Sequence, residues 1–152
     1  QEQDALTDIC IRSKAFWGYD DLFMARSVPV LTVTDDMIAS GLVLVLTDEK
    51  DHPVGIAALE ATDKPGWLEL ALFFIDPDYI GQGGGRILFD EIIRLARQQG
   101  AAMLKILADP NAVSFYERMG CETRGDVPSE MIPGRRLPLC LFDLSQAGGA
   151  EL

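Results

Sequence analysis

The chain has 152 residues, 48% of them apolar and 24% charged, which suits one globular domain with a sizeable core. Its net charge of −11, with no run of Lys or Arg, argues against a nucleic-acid backbone or an anionic membrane as partner and favours cationic ones. No apolar run approaches the ~20 residues of a bilayer span, and QEQDALTDIC has neither a basic start nor an apolar core, so a soluble, cytoplasmic protein is expected.

Leu6, Ile9 and Cys10 at helical spacing predict a helix over Asp4 to Lys14, and a second, short helix is predicted over Asp20 to Arg26 after the break at Trp17-Gly18-Tyr19. LVLVL from Leu42 and VGIAALEA from Val54 flank TDEKDHP and read as a hairpin. Asp63, Pro65 and Gly66 turn the chain into WLELALFFID, a third strand. From Gly85 to Gln99 the apolar Leu88, Phe89, Ile92, Ile93, Leu95 and Ala96 form one stripe and the charged residues another, an amphipathic helix stopped by Gly100. MLKILA is a strand. Asn111 to Met119 is a short helix with Asn111 as its N-cap, and GDVPSEMIPGRR is a loop before a last strand, LPLCLFDL. The tail SQAGGAEL is expected to fray. This order predicts an α+β fold, sandwich-like, with a mixed but mostly antiparallel sheet flanked by helices. The crossover from Trp67 to Ala108 is long enough to make its two strands parallel neighbours.

Cys10, Cys121 and Cys140 are widely spaced and odd in number, as for reduced core thiols, and the lone His52 lies beside Pro53 in a turn. Neither a metal site nor a nucleophile activated by histidine is expected.

DPDYIGQGGGRILFDE puts four glycines into five positions directly before a helix. A helix N-terminus presents unpaired N–H groups and a positive dipole end, and glycines let an anion reach them. Gly81, Gln82, Gly83, Gly84, Gly85 and Arg86 are therefore the candidate site for a pyrophosphate. A dinucleotide fingerprint beginning at Gly81 would need glycine where Arg86 stands, and the Gly-Lys-Ser/Thr of a nucleotide-hydrolysing loop is absent.

DPDYIGQGGGRILFDEIIRLARQQGA followed by DPNAVSFYERMGCETRGDVPS resembles the acyl-CoA-binding half of the GNAT superfamily of N-acetyltransferases, over about Val54 to Leu144. The family signature is Arg/Gln-x-x-Gly-x-Gly/Ala. Gly83 and Gly85 take its glycine positions, and Ile80 stands where it has Arg or Gln. SKAFWGYD and PSEMIPGRRLPL are similar to segments of one bacterial branch.

The resemblance implies acetyl transfer from acetyl-CoA to an amine of a small molecule or peptide by direct attack in a ternary complex, without metal, and it admits a homodimer. It implies that the pantetheine arm bonds the backbone of Phe73, Phe74 and Ile75, and that Asn111 also contacts it. Tyr116 matches the family tyrosine that protonates the departing thiolate, a phenol otherwise explained as an aromatic packed on the sheet. Glu69 is the base candidate: by strand alternation it shares a face with Ala71, Phe73 and Ile75. Trp17, Tyr19, Ser129 and Arg135 are the acceptor-pocket candidates, and an arginine there would bind an acidic group on the acceptor. The rival readings are an acyl-CoA-binding sensor or interaction module without turnover, and a nucleotide-binding regulatory domain.

Overall fold

A computed structural model describes residues 2–145, so the predicted frayed tail lies outside the described residues from position 146 onward. The chain opens with α1 (Glu2–Ala15) and α2 (Asp21–Leu31), then a short α3 (Asp35–Ala39). β1 (Val43–Thr47), β2 (Pro53–Ala61) and β3 (Trp67–Ile75) follow as an antiparallel meander. α4 (Gly84–Gln98) carries the chain over to β4 (Met103–Leu107), parallel to β3. α5 (Val113–Arg118), β5 (Glu122–Pro128) and β6 (Arg136–Asp143) complete one six-stranded sheet in the order β1-β2-β3-β4-β6-β5. The expected α+β class with a mostly antiparallel sheet is what the chain forms.

The two faces of the sheet bury different helices. Leu88, Phe89, Ile92, Ile93 and Ala96 of α4 pack with Tyr116 of α5 on Ala57, Leu59, Leu70, Leu104 and Ile106. Leu6, Ile9 and Cys10 of α1 pack with Leu31 and Val33 on Ile56, Ala58 and Leu72 of the other face. The stripe read from the α4 sequence is thus the stripe that is buried, each large side chain contributing about 1.5–3 kcal/mol. All three cysteines are buried free thiols.

Four features depart from the sequence reading. α2 runs five residues further than expected, through Pro29, because Leu31 on its last turn packs in the core with Ile56, Ala58 and Leu72 of the sheet. α3 is a single capped turn, Thr34 accepting the amide of Met37, too short to leave a periodic signature. The first residues of the predicted loop GDVPSEMIPGRR, Gly125 to Pro128, belong to β5, an edge strand whose residues are almost all exposed and therefore show no apolar alternation. Asn111 is not an N-cap: Asp109 accepts its backbone amide and caps a 3-10 turn, Pro110–Ala112, that precedes α5.

Candidate active site

β3 and β4 pair only from Trp67–Glu69 to Met103–Lys105. Beyond that point β4 stays with β6, through Ile106 and Leu107, while β3 stays with β2 as far as Ile75. The two parallel strands therefore part like a V and leave a cavity of about 640 Å³. Its walls include Phe73, Phe74 and Ile75 from β3, Ile106 and Leu107 from β4, and Phe115 and Tyr116 from α5. The edge of β3 facing the gap carries main-chain groups with no strand beside them, which an extended ligand can pair.

One end of the cavity is closed by the glycine loop, and the glycines there have two separate reasons. Gly81 and Gly83 hold φ of +87° and +85°, a left-handed conformation that disfavours any side chain. A Cβ on Gly84 would lie 2.8 Å from Leu46 and one on Gly85 3.2 Å from Phe115, so these two are small because neighbours press on them. Gly83 caps α4 without any side-chain acceptor, which leaves the first amides of a 15-residue helix available. Arg86 lines the cavity beside them.

Tyr116 is 6% exposed among Phe73, Phe89 and Phe115, with ring centroids 5.4–6.1 Å away. Burial first, then the neighbouring Cys121, Cys140 and Asp109, push its phenol far above the ordinary value.

Glu69 does not share a face with Phe73 and Ile75. Ala58 pairs with Leu72 but Leu59 with Leu70, so Ala71 is an extra residue that shifts the register. Leu70 then packs beside Phe73 and Ile75 on the α4 side, while Leu72 and Phe74 pack on the α1 side. Glu69 consequently lies on the α1–α2 side of the sheet, between Glu60 on β2 and Lys105 on β4. Burial raises its carboxyl above the usual range, Lys105 opposes this, and Glu60 and Glu130 add to it.

At the C-terminal end of β4 a polar network joins three distant segments. Asp109 Oδ2 accepts from Lys14 Nζ at 2.5 Å, the Tyr19 hydroxyl at 2.8 Å and Arg135 Nη2 at 3.4 Å. Its Oδ1 accepts the Asn111 amide at 2.8 Å and Asn111 Nδ2 at 2.9 Å. The Tyr19 hydroxyl in turn accepts from Asn111 Nδ2 and Arg135 Nη2, and the Tyr19 ring stacks on Phe23 at 3.9 Å. Burial pushes Asp109 up, but Lys14, Asn111 and Tyr19 outweigh it and hold the carboxyl at about 2. Burial pulls Lys14 below an ordinary lysine, the hydrogen bond and charge of Asp109 oppose this, and Arg135 adds to the lowering. Burial and the same carboxylate push Tyr19 up to about 12.

The cavity thus gathers Trp17, Phe73, Phe74, Ile75, Gly81, Gly83, Gly85, Arg86, Asn111 and Tyr116 from the sequence-predicted set. Tyr19 and Arg135 are not among its lining residues but bond Asp109, which is. Ser129 accepts the amides of Met131 and Ile132 and shapes the β5–β6 loop rather than the wall. Gln82 and Gly84 face a separate, shallow depression beside the β1–β2 hairpin. Sequence reasoning missed Lys14, Ser13 and Asp109 as cavity residues. The signal for Asp109 was the Asp-Pro step before Asn111, a turn-forming pair. Among the described residues no group of three or more His, Cys, Asp or Glu could hold a metal ion, and no helix is long and apolar enough to cross a membrane.

A family model described as the acetyltransferase (GNAT) domain matches residues 23–130. The chain is 28% identical over 107 residues to the peptidyl-lysine N-acetyltransferase YjaB of Salmonella typhimurium, covering 70% of this chain and 68% of that protein. It spans only 19–35% of the length of three further curated N-acetyltransferases that it matches. Among solved structures, a GCN5-related N-acetyltransferase from Rhodopseudomonas palustris superposes with a TM-score of 0.72 at 22% identity, over 93% of this chain and 89% of that one. The acetyltransferase yncA of Salmonella typhimurium, solved with acetyl-CoA, gives 0.69 at 18% identity over 96% and 90%. With the family match covering most of its length, this chain belongs to the GNAT acetyltransferase family.

Proposed function

We propose that the chain is an acetyl-CoA-dependent N-acetyltransferase acting on an amine of a small molecule or peptide. The observation that carries this reading is the V between β3 and β4, with free helix amides at its closed end and Tyr116 in its wall. The residues fit the donor. The amides of Gly84 and Gly85 and the guanidinium of Arg86 would hold a pyrophosphate, and the free edge of β3 at Phe73 to Ile75 would pair an amide-bearing arm. A bound thioester supplies an activated acetyl carbonyl.

In the reaction the neutral amine nitrogen bonds to the carbonyl carbon, the carbon–sulfur bond breaks, and the amine proton leaves for a base. Tyr116, neutral because it is buried, gives its proton to the departing sulfur. Glu69, on the α1–α2 side of the sheet with its carboxyl raised by burial, takes the amine proton directly or through water. The buried thiols supply no nucleophile: burial pushes Cys10 and Cys121 up to about 12, far from a reactive thiolate.

Calorimetric titration with acetyl-CoA, ATP and NAD tests the donor, and thiol release with a panel of amines tests turnover. Binding of acetyl-CoA without thiol release from any amine would assign the chain to the sensor reading instead.

A further inference from the structure

Lys14 and Arg135 bring two positive charges to one negative one. Their side chains are 13% and 17% exposed, and both bond the same atom, Asp109 Oδ2. Lys14 makes no other hydrogen bond among the described residues, so two of its three donors are unspent, and it lines the cavity. Among the described residues the Arg135 side chain hydrogen-bonds only through Nη2, to Asp109 and Tyr19, while its Cζ is 4.7 Å from the Phe23 ring centre. No second carboxylate pairs with either cation among the described residues. A protein of net charge −11 therefore concentrates an uncompensated positive charge where burial makes it costly. An oxyanion on a ligand removes that cost and fills the free donors.

The location separates this charge from the donor's pyrophosphate. Lys14 ends α1 and Arg135 ends the β5–β6 loop, on the α1–α2 side of the sheet, whereas the free amides of α4 lie on the opposite side. Glu60 and Glu69 are also on the α1–α2 side, with the charge of Glu130 acting on Glu69, and they are suited to a protonated amine.

We propose that Lys14 and Arg135 form a subsite for an oxyanion, carboxylate or phosphate, carried by the amine acceptor, with Asp109 and Tyr19 holding the two cations in place. The inference rests on the transferase reading for its substrate. It selects amino-acid-like acceptors over polyamines, against the preference that the overall charge alone would give.

Three amines of equal reach test it: β-alanine, 2-aminoethylphosphonate and β-alaninamide, compared per unit of free amine in a thiol-release assay. The expected result is a kcat/KM at least about 10-fold higher for the carboxylate or the phosphonate than for the amide, the better of the two identifying the oxyanion. Lys14→Met and Arg135→Met should cut that advantage by about 10- to 100-fold, as for losing a hydrogen bond to a charged group. Acetyl-CoA affinity, measured in parallel, should stay within threefold and so report a folded site. Equal or faster turnover of the amide, or an advantage unchanged in both variants, overturns the subsite. Where no amine is turned over, calorimetry with the N-acetyl derivatives in the presence of coenzyme A decides. Preferred binding of the acid that is lost in Lys14→Met sustains the subsite while the transferase reading falls, and equal or absent binding overturns it.

Discussion

Arg12 on α1 grips Asp76 at the end of β3 with both arms of its guanidinium, Nη1 3.1 Å from Oδ1 and Nη2 2.8 Å from Oδ2. Asp76 also caps the 3-10 turn Pro77–Tyr79 that leads into the glycine loop. α1 is thereby tied to the turn that leads into the glycine loop. Arg12→Met should cost about 1–2 kcal/mol, kept low because Arg12 is 42% exposed and solvent screens the pair. A urea midpoint equal to that of the wild type would show that the fork contributes nothing.

Acid should unfold the protein through two carboxylates. The Arg12 bonds hold Asp76 below its ordinary value, and the Lys14 network outweighs burial to hold Asp109 at about 2. A group depressed in the folded state contributes stability above its unfolded value, about 3.9, and loses it as pH falls through the folded one. The urea midpoint should therefore fall between about pH 5 and pH 2, with a shallower decline in Asp109→Asn. An identical acid limb in that variant would remove Asp109 from the account.

The glycines should fail in different ways. Gly83→Ala strains a left-handed residue, while Gly85→Val drives a branched side chain into Phe115, the neighbour of Tyr116. Both should lose acetyl-CoA binding by at least about 10-fold in calorimetry, with Gly85→Val also lowering stability by about 1–3 kcal/mol. Arg86→Ala should weaken binding only modestly, since backbone donors remain. Wild-type affinity in both glycine variants would put the donor elsewhere.

Tyr116→Phe should lower kcat by about 10- to 10³-fold with acetyl-CoA affinity unchanged, as for loss of a positioned general acid. Because burial raises the phenol, no alkaline decline in rate below about pH 10 should trace to this residue. Unchanged turnover leaves it a packing role.

Glu69→Gln should lower kcat/KM at pH 7 and recover part of the loss toward pH 9–10, where more amine is free. Stability moves the other way. A carboxyl raised in the folded state costs stability once pH exceeds its folded value, so the neutral glutamine should raise the thermal midpoint at pH 7. A variant with the wild-type pH–rate profile would move the search to Glu130, since Asp76 is spent on Arg12.

Much of this protein was legible in local sequence. The α4 stripe is a single-helix property, set by residues three and four apart, and the glycine run announces a loop that side chains cannot enter. The four-glycine segment stands out as a short local motif, and Tyr116 was singled out by its match to the family pattern. Tertiary structure decided the rest. The face of Glu69 turned on Ala71, one extra residue whose presence depends on what β2 offers opposite, so alternation along β3 alone gave the wrong side. β5 showed no alternation because an exposed edge strand buries nothing. Lys14, Asp109 and Arg135 are separated by 95 and 26 positions, and each alone resembles a solvated charge. Only the meeting of α1, the end of β4 and the β5–β6 loop gives two cations one carboxylate, because charge balance at a buried site is a sum over elements that the chain order keeps apart.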